Sequence, residues 1–403
     1  MKDVLLITNF WHFDIEKDSS RYTTLANIIV ENGYDLEVIT SDFYHRTKAK
    51  RAFSHDFLES FKYKITLINE PVYKKNVSLK RLTSHKKFAK NVINYLKNRK
   101  KPDAVIIVIP STYVAEYVIR FCKKNNIKTV LDIQDLWPEA FKMAINIPVI
   151  SSILFYPMSR MANYAYKNAN VITAVSKTYV DRANKLRRGK ENGVPIYLGS
   201  NYEFALKSIN SYSVDKPSDK FWITYIGALG YSYNLKLVID SIAKLKEDGI
   251  KNIVFNVFGN GVLEEQFKEY AEIKKIEAKF FGHIEYGQMM AWLSKTDVSV
   301  NPIIGSSVSS IINKVCDYAT AGTAVINDQN SAEYRMLLEK YDCGINCNNN
   351  DLTSFSLAIK KLYFDTELRN KMRENAKIMA AENFNREKTY LKFVKILDKL
   401  CGF

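Results

Sequence analysis

The feature that most constrains this chain is an alternation, repeated twice, of short β-branched runs and amphipathic stretches closed by glycine. Residues 104–109 read Ala-Val-Ile-Ile-Val-Ile. An unbroken apolar run of that length suits a parallel strand covered on both faces. Upstream, residues 3–8 predict a strand through Val4, Leu5, Leu6 and Ile7, and a helix then carries Leu25, Ile28 and Ile29 to a stop at Asn32-Gly33. Residues 36–40 (Leu-Glu-Val-Ile-Thr) supply the next strand. A helix-stop glycine between a helical period and a β-branched run is the pattern of a βαβ unit. Residues 129–133 and 171–175 add two more strands.

The pattern restarts after the polar segment 211–220, which contains Pro217 and reads as an interdomain linker. Strand 222–226 runs into Gly227-Ala228-Leu229-Gly230, and a helix follows through Leu235, Ile239, Ile242 and Leu245 to Gly249. Strand 253–258 ends in Gly259-Asn260-Gly261, and residues 278–281, 298–300 and 323–326 continue the series. The expected fold is α/β, with two tandem Rossmann-like domains facing a cleft. In such sheets ligands bind outside the carboxyl ends of the strands. Neither half has GxGxxG or a Walker lysine pattern, so a dinucleotide fingerprint and a P-loop are both absent. Gly227 and Gly230 admit two readings: a tight strand-to-helix turn, or backbone N–H groups brought close to a phosphate at a helix N-terminus.

At 403 residues, 47% hydrophobic and with only 15 Gly and 9 Pro, the chain can build full cores and is neither disordered nor collagen-like. Its five cysteines (Cys122, Cys316, Cys343, Cys347, Cys401) form no paired spacing, which points to a reducing compartment. Cys343 and Cys347 lie four apart with no second pair after them, and five histidines without HExxH give no zinc site. Residues 1–8 read as a first strand rather than a signal peptide. No stretch reaches the ~20 apolar residues of a spanning helix. The uncharged residues 143–159 come nearest, but Asn146, Pro148 and Pro157 interrupt them. A cytoplasmic protein, peripheral on the inner face of the cell membrane, is expected.

The formal charge of +16 is concentrated. Residues 46–101 hold 17 Lys or Arg against Asp56, Glu59 and Glu70, a net +14. So long a one-signed run suits either a solvated face or attraction to an anionic surface: acidic phospholipid or a phosphate-bearing acceptor. Nucleic acid is not expected, since no zinc finger, RNP-type or helix-turn-helix signature accompanies the charge.

One segment carries more. Residues 312–326, INKVCDYATAGTAVI, read as a helix with Lys314 and Asp317 at i and i+3 on one face, running through Gly322 into a strand. A surface ion pair would use the same spacing. With DIQDLWPEAF from Asp132, NANVITAVSKTYVDRA, ITYIGALGYSYNLKLVIDSIAKL, VFNVFGNG and FFGHI in the same order, the chain resembles retaining glycosyltransferases of the GT-B fold. Within that large bacterial family, marked by a Glu-x7-Glu motif, it looks most like the capsule and O-antigen branch with a K-x-x-(E/D)-Y helix. The resemblance implies an acceptor-binding domain over residues 1–210, a nucleotide-sugar donor-binding domain over 211–384, and a closing helix over 385–403 that crosses back onto the first domain.

It also implies roles. A nucleoside diphosphate leaving group gains negative charge as the sugar–phosphate bond breaks, and it then needs cations and N–H donors already in place. Lys314 would supply the cation, with Gly227, Gly230 and Asn234 at the phosphates. Asp317 would accept from the ribose, and Gly282, His283 and Ile284 would hold the base. Ser309 stands where the family's first glutamate contacts the donor sugar, with Ser310 beside it. In the first domain Ser19, Ser20 and Arg21 correspond to the loop facing phosphates and acceptor. Gln134 replaces a histidine found in many relatives, which leaves Asp135 as the polar group for the acceptor hydroxyl; an N-cap or turn aspartate is the plainer reading.

The expected activity is hexosyl transfer, with retention, from a UDP-linked sugar to a lipid-linked saccharide in surface polysaccharide biosynthesis. No metal is expected, because Asp132 and Asp135 do not form an Asp-x-Asp pair. A non-catalytic partner subunit that kept the fold is the alternative, and a nucleotide-sugar epimerase ranks third.

Overall fold

A computed structural model describes residues 1–16, 21–76, 78–139, 153–189, 192–304 and 311–402. The chain divides into two compact units, Met1–Ile196 with Tyr390–Phe403, and Tyr197–Thr389.

The first unit contains β1 (Lys2–Ile7), β2 (Tyr34–Ser41), β3 (Phe43–Tyr44), β4 (Ala49–Lys50), β5 (Lys64–Ile68), β6 (Ala104–Ile109), β7 (Lys128–Ile133), β8 (Val171–Ala174) and β9 (Val194–Pro195). Seven of them form a parallel sheet in the order β5-β2-β1-β6-β7-β8-β9, while β3 and β4 make a small antiparallel ribbon. Strand order reverses between β1 and β6, so their carboxyl ends flank the crevice that such a reversal leaves. Val4, Leu6, Val38, Ile106 and Val130 pack in the core with Leu25 and Ile29 of the helix Arg21–Glu31. The helix Leu391–Cys401 completes this core, because Phe393, Val394 and Leu397 are buried in it and Tyr34 donates to Asp398 Oδ1 at 2.6 Å.

The second unit contains β10 (Phe221–Ile226), β11 (Ile253–Phe258), β12 (Glu277–Gly282), β13 (Val298–Asn301), β14 (Ala324–Asn327) and β15 (Gly344–Asn346). They form a parallel sheet in the order β12-β11-β10-β13-β14-β15. Ile223, Tyr225, Phe255, Val257 and Val300 of its strands pack against Val238, Ile239 and Ile242 of the helix Leu235–Glu247. Residues 211–220, expected to link the domains, lie inside this unit. So do residues 197–210 and 385–389, which the sequence had assigned to the first domain and the closing segment.

The basic stretch is less one-sided than its count suggested, and the cause is pairing with acids outside it. Arg51 bonds Glu16 at 2.8 Å, Lys50 bonds Asp42 at 2.6 Å, and Arg99 bonds Asp3 at 2.7 Å and Glu37 at 2.6 Å. Lys62 meets Glu31 and Lys64 meets Glu37, both at 3.2 Å. Lys74, Lys75, Lys80, Lys86, Lys87 and Lys90 remain exposed. Among the described residues no helix is long and apolar enough to cross a membrane. Residues 143–152 lie outside those described; next to them Ile153, Leu154 and Tyr156 are exposed.

Candidate functional site

At the carboxyl end of β10 the chain turns through Gly227, whose φ of +130° suits glycine alone. A Cβ there would lie 2.8 Å from Lys314 Nζ, so the missing side chain is what lets the lysine reach the loop. The neighbouring strand end is equally tight. A Cβ on Gly259 would sit 2.0 Å from the Gly227 carbonyl oxygen, and one on Gly261 would sit 2.3 Å from that of Leu229. Two glycine loops therefore pack backbone to backbone. Gly227 N–H donates to Phe258 O and Leu229 N–H to Asn260 O, both at 2.9 Å. This corrects the expectation for Gly227: its N–H is committed within the fold, and only those of Ala228 and Gly230 are left for a ligand among the described residues.

Lys314 sits in the first turn of the helix Asn313–Thr320 and is buried. Its Nζ donates to Tyr225 Oη at 2.9 Å, and Tyr225 donates in turn to the Ala228 carbonyl at 2.7 Å. The amino group also lies 4.0 Å and 3.7 Å from the ring centres of Tyr225 and Tyr233. No carboxylate is paired with it among the described residues, and burial pushes its pKa well below the ordinary lysine value. Two aromatic faces favour the cation, but desolvation outweighs them.

Asp317 is one turn further on, yet it serves a different neighbour. Tyr286 donates to its Oδ1 at 2.7 Å, and burial raises its pKa to about 6, against the pull of Tyr286 and Arg386. Lys314 and Asp317 form no ion pair with each other among the described residues. The surface-pair reading of their spacing fails.

The remaining expected positions divide. Asn234 caps the helix Leu235–Glu247 by accepting from Leu237 N–H at 3.1 Å, and its amide donates to Asn350 at 2.5 Å. Both ends of that side chain are engaged. The Gly282 carbonyl accepts from Gly259 N–H at 2.7 Å, His283 is exposed, and Ile284 is half-buried against an apolar cluster. Ser309 and Ser310 lie outside the described residues, as do Ser19 and Ser20. Sequence reasoning passed over Tyr225, Tyr233 and Tyr286, the partners of Lys314 and Asp317, because tyrosine is common in this chain and no spacing marks these three.

In the first unit Arg21 turns inward, which corrects its expected place at a phosphate-facing loop. Its guanidinium is 3.6 Å from Asp132 and lies over the rings of Tyr22 and Tyr390 at 5.4 Å and 5.0 Å. Asp132 is fully buried at the end of β7 and accepts from Tyr22 Oη at 2.9 Å, Gln134 Nε2 at 2.9 Å and Thr173 Oγ1 at 2.8 Å. A buried carboxylate needs such partners. Gln134, the departure from the family pattern, is one of them. Asp135 beside it is exposed, and its carbonyl accepts from Trp137 N–H at 3.1 Å. Lys314, Gly227 and Asp317 thus gather in the second unit, while Arg21 and Asp135 belong to the first.

Residues 208–379 match the family model described as "Glycosyl transferases group 1". The matched stretch lies within the second unit. An uncharacterized glycosyltransferase of Methanocaldococcus jannaschii is 24% identical over 245 residues, which is 59% of this chain and 60% of that relative's length. The sucrose-phosphate synthase of Thermosynechococcus elongatus aligns over 100% of both chains with a TM-score of 0.70 at 12% identity. Alr3699/HepE of Anabaena, solved in complex with UDP, aligns over 99% of this chain and 100% of its own with a TM-score of 0.66 at 13% identity. The two parallel-sheet, Rossmann-like units make this a GT-B fold.

Proposed function

We propose that the protein is a retaining GT-B glycosyltransferase that moves a hexosyl group from a UDP-linked sugar to a lipid-linked saccharide in surface polysaccharide biosynthesis. The observation that carries this reading is Lys314, a buried amino group held against the Gly227–Gly230 loop inside the domain that matches glycosyl transferases group 1. As the sugar–phosphate bond breaks, charge grows on the diphosphate. Lys314 would meet that charge together with the Ala228 and Gly230 N–H groups, in surroundings where water screens little. An arriving diphosphate favours the protonated lysine, so donor binding would draw a proton onto Nζ. Asp317 would hold the ribose through Oδ2, its other oxygen being bonded to Tyr286. With a protein cation in place, transfer would not need a metal. Exposed lysines of the helix Leu79–Lys97, with Ile153, Leu154 and Tyr156, support peripheral attachment to an anionic membrane, which vesicle sedimentation that weakens with salt would check.

The test is Lys314→Ala assayed against UDP-sugars, with EDTA in parallel. Turnover should fall ~10²–10³-fold, as for loss of one preorganised donor, while EDTA changes nothing and the product keeps the donor's anomeric configuration. Undiminished turnover would move the leaving-group charge to another residue. A wild-type chain that binds no nucleotide would favour a non-catalytic partner subunit.

A further inference from the structure

The first unit's sheet gathers a second set of polar groups at its carboxyl edge, and none of them has a part in the chemistry above. Phe10 follows β1, His45 and Lys48 lie in the turn between β3 and β4, Tyr73 and Asn76 follow β5, Arg81 and His85 sit on the helix Leu79–Lys97, and Trp137 follows β7. They form one cluster. Phe10 lies edge-on to His45 at 5.2 Å and to His85 at 5.9 Å, and His85 stacks on Trp137 with ring centres 5.7 Å apart and planes 4° from parallel. His45 Nδ1 is 2.5 Å from Tyr73 Oη and 3.3 Å from Lys48 Nζ. The Arg81 guanidinium covers Trp137 at 4.8 Å, and Lys48 Nζ covers Tyr73 at 5.1 Å.

The charge here is unbalanced. Arg51, Lys50, Lys62, Lys64 and Arg99, from the same basic stretch, each have a carboxylate within ion-pair distance. Among the described residues Lys48 and Arg81 have none at that distance, and Glu70 and Asp135 act on Arg81 only from further away. Their partners are neutral: Asn76 Oδ1 at 2.5 Å for Lys48 and the Asn76 carbonyl at 2.8 Å for Arg81. Arg81 Nε is buried without a hydrogen-bond partner, and so are both ring nitrogens of His85, which is only 1% exposed. The buried acid nearby, Glu70, is 3.9 Å from His85 Nε2 and already accepts from Asn9 and Ser84. His45 registers the resulting field: burial first, then Arg81 and Lys48, press its pKa down to about 4. Buried polar atoms are rarely left unpaired, and two cations beside them on aromatic faces, neither in direct contact with a carboxylate, suit an anion.

We infer that this edge binds a phosphate group, held by Lys48 and Arg81 beside His45, with Phe10, Tyr73 and Trp137 as an apolar wall for what the phosphate is attached to. The assignment rests on the glycosyltransferase reading for one point only, that the phosphate belongs to the sugar acceptor. The shared chemistry is a phosphate ester, carried either by a soluble sugar phosphate or by a lipid headgroup.

The full chain labelled at histidine 13Cε1 has five reporters, of which His55 is exposed and pairs with Glu59. Glucose 1-phosphate and, separately, phosphatidylcholine vesicles containing phosphatidic acid are the probes. We expect saturable shifts at His45 and His85 with His55 unmoved. Shifts with glucose 1-phosphate identify a soluble ligand, and shifts with vesicles alone identify a headgroup. The double variant K48Q/R81Q should weaken binding about tenfold or more, R81K should restore part of it, and Lys314→Ala should leave it unchanged. Circular dichroism confirms that each variant is folded. The proposal is overturned if neither probe moves His45 or His85, or if K48Q/R81Q binds as tightly as the parent. It is also overturned if binding is lost in Lys314→Ala alone. Should UDP fail to bind while glucose 1-phosphate still shifts His45, the phosphate site stands and the transferase reading falls.

Discussion

The two sheets present opposite electrostatic designs at their carboxyl edges. In the second unit one amino group, Lys314, is sealed between two tyrosine rings and two interlocked glycine loops, and burial holds its pKa far below normal. In the first, several cations stand half-exposed on aromatic faces, and the acid that needs compensation, Asp132, is met separately by Arg21. The difference shows that positive charge in a chain does not by itself mark where chemistry happens. A sealed lysine responds to charge that appears during a reaction, whereas an open cluster attracts charge already present.

The contrast can be broken most severely at Arg21. Arg21→Met removes one partner of a buried pair, a change worth ~3–5 kcal/mol in general. Asp132 keeps its three donors, so a loss of about 3 kcal/mol is expected, read as a lower denaturant midpoint. Asp317→Asn, by contrast, can still accept from Tyr286 and should cost under ~1 kcal/mol. Equal losses would show that the second unit depends on charge as much as the first.

Acid sharpens the comparison. The His45 pKa is lower in the folded chain, about 4, than the unperturbed 6.5. Its contribution is therefore complete above pH 6.5 and is lost as pH falls towards 4, on the order of 3 kcal/mol at most. In the second unit burial raises Asp317 and Asp328 to about 6 from 3.8. Their contribution is complete below the unperturbed value and is lost as pH rises through 6. His45 and the two aspartates should thus contribute stability slopes of opposite sign across one pH window. In melts from pH 4 to 7, His45→Asn should flatten the acid loss and Asp328→Asn should flatten the opposing trend. Identical profiles in both variants would remove this account.

The smallest effect separates a cap from a ligand. Asn234→Ala should lower stability by about 1 kcal/mol through the lost cap and leave donor affinity unchanged. A weakened donor Kd without a change in melting temperature would return Asn234 to the binding site.

Much of the fold was legible in the chain because buried parallel strands advertise themselves. The runs 104–109 and 253–258 became β6 and β11 with the expected bounds. The edge strands β5, β9 and β15 were not anticipated: they are short, and Lys64-Ile-Thr-Leu-Ile lies in a stretch dominated by its charge. The site was legible in its residues and not in their partners. The spacing of Lys314 and Asp317 is visible in one turn, but Tyr225 is 89 positions from Lys314 and Tyr286 is 31 from Asp317. The pairing within the basic stretch was hidden for the same reason, since Asp3, Glu16, Glu31, Glu37 and Asp42 lie upstream of residues 46–101.

The return of the helix Leu391–Cys401 to the first unit has a consequence for biosynthesis. Translation completes the whole second unit, Tyr197–Thr389, before it supplies Phe393, Val394 and Leu397 to the first core. On the ribosome the half that is made first must wait with part of its interior uncovered. That nascent half is where a chaperone would find exposed apolar surface.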